Sequence, residues 1–239
     1  IRARVDSIVK DPQTAEALKP YYRQFCKRPC FHNEYLETFN RSSVTLVDTR
    51  GRGVDRITAK GVEVQGQEYE LDCLIYATGF EVGTDYSHRA DIQLLGRDGT
   101  SLTEAWADGV RSLHGMHVNG FPNCFIMSNS QAGFTASYPH LLDEQAKHIA
   151  YIIKAASEQG CAEIEVTEQS ETGWVQHCID KARDAGDFLE NCTPGYYNNE
   201  GRAGDRNAQD GFYGGGSVEF FRLLQEWRDE GGLEGLELK

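Results

Sequence analysis

Lys27 and Arg28 stand side by side ahead of Pro29. Proline disfavours helical geometry in the residue before it, so this cationic pair belongs to a loop. Such a pair can bind a ligand phosphate or an anion that develops during a reaction; a solvated basic pair is the plainer alternative. A second candidate is the apolar run Leu74-Ile75-Tyr76, which closes on Ala77-Thr78-Gly79. Glycine has no Cβ, so backbone there can approach a bulky ligand closely. The third is Gln131 to Tyr138, ahead of a helix expected from about Pro139 to Ala156. A helix start offers free N–H groups and partial positive charge to an electron-rich ligand edge.

Hydrophobic periodicity marks the elements that must position these residues. Short helical stretches before and after Asp11-Pro12, the second over Thr14 to Leu18, open the chain. Val44 to Asp48 is a β-branched run that reads as a strand. Gly61-Val62-Glu63-Val64 and Gln67 to Leu71 alternate like a hairpin. Leu74 to Tyr76 does not alternate, and unbroken apolar character predicts a strand covered on both faces, as in a parallel sheet. Another strand is expected over Cys124 to Met127, after the turn Gly120-Phe121-Pro122-Asn123. In the helix expected from Pro139, Leu141, Leu142, Ala146, Ile149, Ile152 and Ile153 recur near helical spacing and define a buried stripe. Glu163 to Val166 reads as a strand, Gly173 to Arg183 and Val218 to Arg228 as helices. Residues 192 to 216 are rich in Gly, Asn, Asp and Tyr, as in a mobile functional loop or a poorly ordered segment. Gly214-Gly215-Gly216 lacks the strand and the Lys-Ser/Thr of a phosphate cradle and reads as a packing turn.

The 239 residues carry a formal charge of -13, which repels phosphate backbones and argues against nucleic-acid binding. No apolar run approaches the roughly 20 residues that span a bilayer, so no membrane association is expected and cytoplasmic residence is the default. The seven cysteines include no CxxC pair, which suits reduced thiols rather than a metal site. Asp48, Asp72, Asp91 and the histidines have no partner spaced for catalysis or metal binding and read as structural, as Trp106 and Trp174 do.

Together, Cys26-Lys27-Arg28-Pro29, Asp72-Cys73-Leu74-Ile75-Tyr76-Ala77-Thr78-Gly79-Phe80 and Gly120-Phe121-Pro122-Asn123 resemble segments of the C-terminal half of a type I Baeyer-Villiger monooxygenase, and the resemblance covers nearly the whole chain. It implies an α/β fold that is part of a two-dinucleotide-binding, Rossmann-like flavoprotein. Residues 1–25 would end a helical insertion, 26–73 complete an NADPH domain, and 74–239 complete an FAD domain. It also implies FAD and NADPH as cofactors, a ketone and O2 as substrates, and an N-terminal half of the same enzyme that precedes Ile1.

In that family the arginine matched by Arg28 approaches the flavin, where a permanent charge stabilises the flavin peroxide anion and the anionic adduct with the ketone. Lys27 is matched to the 2'-phosphate of NADPH, Thr78 and Gly79 to the linker beside the dinucleotide, and Gln131 and Tyr138 to the flavin loop. Tyr196, in Gly195-Tyr196-Tyr197, is matched to the nicotinamide ribose or a gating loop, in the version that resembles the subgroup acting on steroids and large rings.

Two features depart from the pattern. The loop Ser128 to Phe134 lacks the family's Gly-Pro and Ser-Pro steps, which implies a differently shaped pocket. Neither G-x-G-x-x-G fingerprint nor the diagnostic Phe-x-Gly-x-x-x-His-x-x-x-Trp segment occurs in these residues. The alternatives are a flavin monooxygenase that oxygenates nitrogen or sulfur, and a non-catalytic binding module.

Overall fold

A computed structural model of the protein describes residues 1–79, 87, 91–183, 186–195, 198, 201 and 207–239. The chain divides into two compact units, Ile1–Glu81 and Val82–Lys239.

The first unit opens on α1 (Arg2–Ile8) and α2 (Pro12–Leu18). Asp11 caps α2 by accepting from Thr14 N at 2.7 Å, with Pro12 preset for the first turn. Val5, Val9 and Ala15 are buried between the two helices, with Leu18 and Leu36 packed on them; Leu36 lies in α3 (Tyr35–Thr38). The hairpin expected from alternation is present and gains a third strand: β1 (Arg56–Ile57), β2 (Gly61–Val64) and β3 (Gln67–Glu70) form an antiparallel meander. Gln65 and Gly66, at φ 53° and 79°, make the two-residue turn that sets the Val64–Gln67 register. Arg56 and Glu63, opposite each other across β1 and β2, form an ion pair at 2.6 Å. Val44 to Asp48 forms no strand. A β-branched run becomes a strand only where a neighbour completes its hydrogen bonds, and among the described residues none does.

The second unit contains α4 (Leu102–Ala105), α5 (Tyr138–Glu158), β4 (Ile164–Val166), α6 (Glu168–Lys181), α7 (Gly186–Glu190), α8 (Asn207–Asp210), α9 (Ser217–Glu230) and β5 (Leu236–Leu238). Sequence signals bound these helices. Ser101 and Glu104 form a reciprocal capping box on α4, Thr167 caps α6, and Gly231 ends α9 in the left-handed region. β4 and β5 pair antiparallel, Ile164 against Leu238. The main core joins Leu113, Met116, Ala132, Leu141, Val166, Trp174, Cys178, Tyr213, Phe220 and Leu224; a second holds Leu102, Val118, Phe121 and Ile126. Trp174 is a packing residue as expected, and half-buried Trp106 donates to Arg111 O.

Three sequence expectations change here. The buried stripe of α5 is Leu141, Gln145, His148, Ile152 and Ala156, while Ala146 and Ile153 face outward. Two polar side chains therefore take positions that hydrophobicity alone awards to their aliphatic neighbours. Cys124 to Met127 contributes only a single bridge, Phe125 to His117. Among residues 192–216 the short α8 is ordered structure, tied to the unit through Asp210 Oδ1, which accepts from Val110 N at 2.7 Å.

The glycine triplet is a packing turn, since a Cβ on Gly214 would fall 1.9 Å from Lys181 O. Cys30, Cys73, Cys124, Cys161 and Cys178 are free thiols; Cys26 and Cys192 are not among them, so the expectation of seven reduced thiols holds for five.

Candidate functional site

In the first unit, Cys26 is buried and anchors the loop that carries the cationic pair. Phe25, at φ 70°, turns the chain immediately before it. Lys27 is half-buried and Arg28 exposed, outside any helix or strand, so the guanidinium reaches solvent from a loop fixed at its neighbour. Such a group can meet an anion without first breaking an internal ion pair.

Leu71 to Gly79 differs from expectation. The run forms no strand, and Leu74, Ile75 and Tyr76 are 40, 81 and 69% exposed. A strand buried on both faces needs neighbouring strands and covering helices; the described residues supply none, and both observed sheets are antiparallel. Thr78 and Gly79 are exposed, and Gly79 takes φ 91°, a conformation that a side chain would strain.

In the second unit, the turn Gly120 to Asn123 docks on β4. Asn123, at φ 57°, donates from its backbone to Ile164 O at 2.9 Å; its Oδ1 accepts from Ile164 N at 2.9 Å and its Nδ2 donates to Ala162 O at 3.0 Å. Asparagine tolerates the left-handed region better than most residues and here spends its whole amide on a strand edge. The turn therefore positions the chain leading to Gln131 rather than meeting a ligand itself.

Gln131 is fully buried, with φ 54°. Its Oε1 accepts from Ser112 Oγ at 2.6 Å, and its Nε2 donates to Val110 O at 2.7 Å and Gln209 O at 3.0 Å. Its backbone N–H donates to Gly211 O at 2.7 Å, and its carbonyl accepts from Trp174 Nε1 at 3.3 Å. Both amide donors are used inside the protein, so the side chain holds the loop in place and has no N–H left for a cofactor. Two residues on, a Cβ at Gly133 would lie 2.8 Å from the Cβ of Phe220, which brings the loop close against α9.

Tyr138 is the first residue of α5 and is exposed, beside a helix start that Ser137 does not cap with its side chain. Tyr196 lies outside the described residues.

Thus Gln131 and Tyr138 flank one anchored loop in the second unit, while Lys27, Arg28, Thr78 and Gly79 lie on exposed segments of the first. Sequence reading did not mark Ser112 and Gln209, whose links to Gln131 span 19 and 78 residues. It also missed Phe134 and Phe212, 46 and 39% exposed and stacked on each other at 4.5 Å, three residues after Gln131 and one after Gly211. Two aromatic residues near glycines were the available signal, but their contact arises only on folding.

Pentalenolactone D synthase of Streptomyces exfoliatus is 54% identical over 241 residues, which cover 100% of this chain and 41% of that protein. A Baeyer-Villiger monooxygenase of Stachybotrys chlorohalonatus is 46% identical over 239 residues, covering 100% and 38%. The chain belongs to the Baeyer-Villiger monooxygenase family. It spans about two-fifths of the length of the curated relatives it matches.

Among solved structures of this family, the polycyclic ketone monooxygenase of the thermophilic fungus Thermothelomyces thermophila superposes with a TM-score of 0.90 at 40% identity, over 100% of this chain and 39% of that one. A steroid monooxygenase bound to NADP gives 0.79 at 26% identity, over 99% and 43%. The fold class is accordingly α/β, that of part of a two-dinucleotide-binding flavoprotein. No protein-family model matches the chain. No helix among the described residues is long and apolar enough to cross a membrane.

Proposed function

We propose that this chain forms part of an FAD- and NADPH-dependent monooxygenase that inserts one oxygen atom of O2 beside a ketone carbonyl, giving an ester or lactone. The other oxygen atom leaves as water, and NADPH supplies the hydride that balances it. The observation that carries the reading is the match of Cys26-Lys27-Arg28-Pro29, with Arg28 exposed, inside a chain 54% identical along its whole length to a relative of this family. Because the relatives are more than twice as long, the remaining nucleotide-binding elements belong to the rest of the polypeptide, with residues 26–73 contributing to an NADPH domain and 74–239 to an FAD domain.

The residues present suit these cofactors in part. Arg28 is accessible, Thr78 and Gly79 present backbone with no side-chain obstruction at Gly79, and Tyr138 stands at the uncapped start of α5. Gln131 fits a direct contact poorly, because both of its amide donors are occupied. Bound and reduced, the flavin supplies activated oxygen. Arg28 would stabilise negative charge that develops on oxygen during the transfer, a role that needs a cation unable to lose its proton. Lys27 would pair with the 2'-phosphate of NADPH, the start of α5 would offer its free N–H groups to the flavin, and Phe134 with Phe212 would offer an apolar surface to the ketone skeleton.

The test is Arg28→Ala in the full-length protein, followed by ketone turnover and by flavin reduction with NADPH. Turnover should disappear while reduction persists. Turnover at the parent rate in the variant would overturn the assignment.

A further inference from the structure

Three histidines meet in the second unit, and four of their six ring nitrogens are buried without a hydrogen-bond partner. His114 and His148 are in ring contact at 5.3 Å, and His117 and His148 at 6.3 Å. All three are buried. His114 Nδ1, His117 Nε2 and both ring nitrogens of His148 have no partner. Their surroundings are aromatic: Trp174 of α6 lies 4.9 Å from His114, Trp227 of α9 lies 4.8 Å from His148, and Phe125 lies 5.2 Å from His117. The groups that bear on them from neighbouring elements oppose added positive charge, His177 of α6 on His114 and the Arg228 guanidinium of α9 on His148. No carboxylate among the described residues is bonded to any of these unpartnered nitrogens.

The backbone at this point is under tension. His114 takes φ 56°, inside a turn closed at both ends by Leu113 N donating to His117 O at 2.8 Å and His117 N to Leu113 O at 3.2 Å. A β-turn with a non-glycine residue in the left-handed region persists only where its surroundings hold it. Here the surroundings that hold it are the core around Leu113 and Met116 together with the neutral rings, which pack against Trp174 of α6 and Trp227 of α9.

We propose that His114, His117 and His148 form a proton-operated latch: neutral, they lock residues 112–118 onto α5 and α9, and when protonated they release them. Three neighbouring cations, with His148 in ring contact with the other two, have no anion to pair with in an aromatic enclosure, so the enclosure opens instead. Burial already holds the folded-state values far below the ordinary one, to about 3, 4 and 2 for His114, His117 and His148. The turn adjoins Ser112, whose hydroxyl secures Gln131, so its release frees the loop that leads to α5.

Proton counting gives the sign. Below the unfolded-state value of about 6.5, the unfolded chain takes up protons that the folded chain refuses, and stability falls with pH from there downward. Carboxylates with lowered values act only nearer pH 4, so the interval from about pH 5 to 6.5 isolates the histidines.

The experiment is urea unfolding of the full chain across that interval, followed by tryptophan fluorescence, with His148→Gln and His117→Gln beside the parent. In the parent the unfolding constant should rise by up to roughly a thousandfold per pH unit, tenfold for each histidine, and in either variant by about a hundredfold. Equal pH slopes in parent and variants would overturn the latch. Should the variants fail to fold, imidazole NMR of the parent decides. Ring signals of His114, His117 and His148 that stay neutral from pH 7.5 to about 5 support it; all three titrating together near 6.5 refute it.

Discussion

The Ser112 hydroxyl donates to the Gln131 amide oxygen at 2.6 Å, in a site from which solvent is excluded. That bond and the two donated by Gln131 join residues 110–112, the loop after Ser130, and α8. Gln131→Leu keeps the volume but leaves Val110 O, Gln209 O and the Ser112 hydroxyl without this partner. We expect a loss of about 2–4 kcal/mol in unfolding free energy, measured by urea denaturation. A loss below about 0.5 kcal/mol would mean that the amide is not the anchor of this loop.

Arg28 should behave in the opposite way. Exposed on a loop, it can be changed to alanine with an expected stability effect within about 0.5 kcal/mol, while the proposed ketone oxidation by the full-length protein should be lost. Arg28→Lys should restore only part of the activity, because an ammonium lacks the planar fork. Coincident thermal melts of parent and variants check the first half; a strongly destabilised Arg28→Ala would make the arginine structural.

Asn123 joins a turn to a strand edge through three hydrogen bonds at φ 57°. Asn123→Ala removes two of these and adds left-handed strain, for an expected cost of about 2–3 kcal/mol. Asn123→Gly should cost less, since glycine accepts that φ. If alanine proves the milder change, backbone conformation is not what selects asparagine here.

Gly133→Ala places a methyl group 2.8 Å from Phe220 Cβ and 2.9 Å from Ser217 Cα. Neither is the end of a flexible side chain. The loop must move off α9, at a cost of about 1–3 kcal/mol. Since this loop leads to Tyr138, flavin affinity of the full-length protein should weaken with it, as fluorescence titration would report.

The thiols should separate by reactivity. Burial pushes Cys178 up to about 12, and Cys124 moves in the same direction, while Cys30 and Cys73 are exposed. Because the thiolate is the nucleophile, alkylation at pH 8 should modify Cys30 and Cys73 first and leave Cys178 intact in the folded chain. Peptide mapping by mass spectrometry gives the order, and early labelling of Cys178 would contradict the packing of α6 against the core.

The residue pattern by itself determined the local elements and the family. The helix after Asp11, the hairpin about Gln65-Gly66 and the long helix near Pro139 each depend on neighbours in sequence, whose propensities and hydrogen bonds act over a few residues; the helix expected from Gly173 begins earlier, at Glu168 behind the Thr167 cap. Tertiary structure decided which side chains those elements bury. Gln131 reads from sequence as a cofactor contact, yet partners 19 to 78 residues away occupy its amide. His148 replaces Ile153 in the buried stripe because the face that meets Trp227 and His114 is fixed by the packing of three segments, not by hydrophobicity along one helix. Leu74 to Tyr76 shows the same limit from the other side. An apolar run can specify a buried strand only in company, and among the described residues no neighbouring strand covers it.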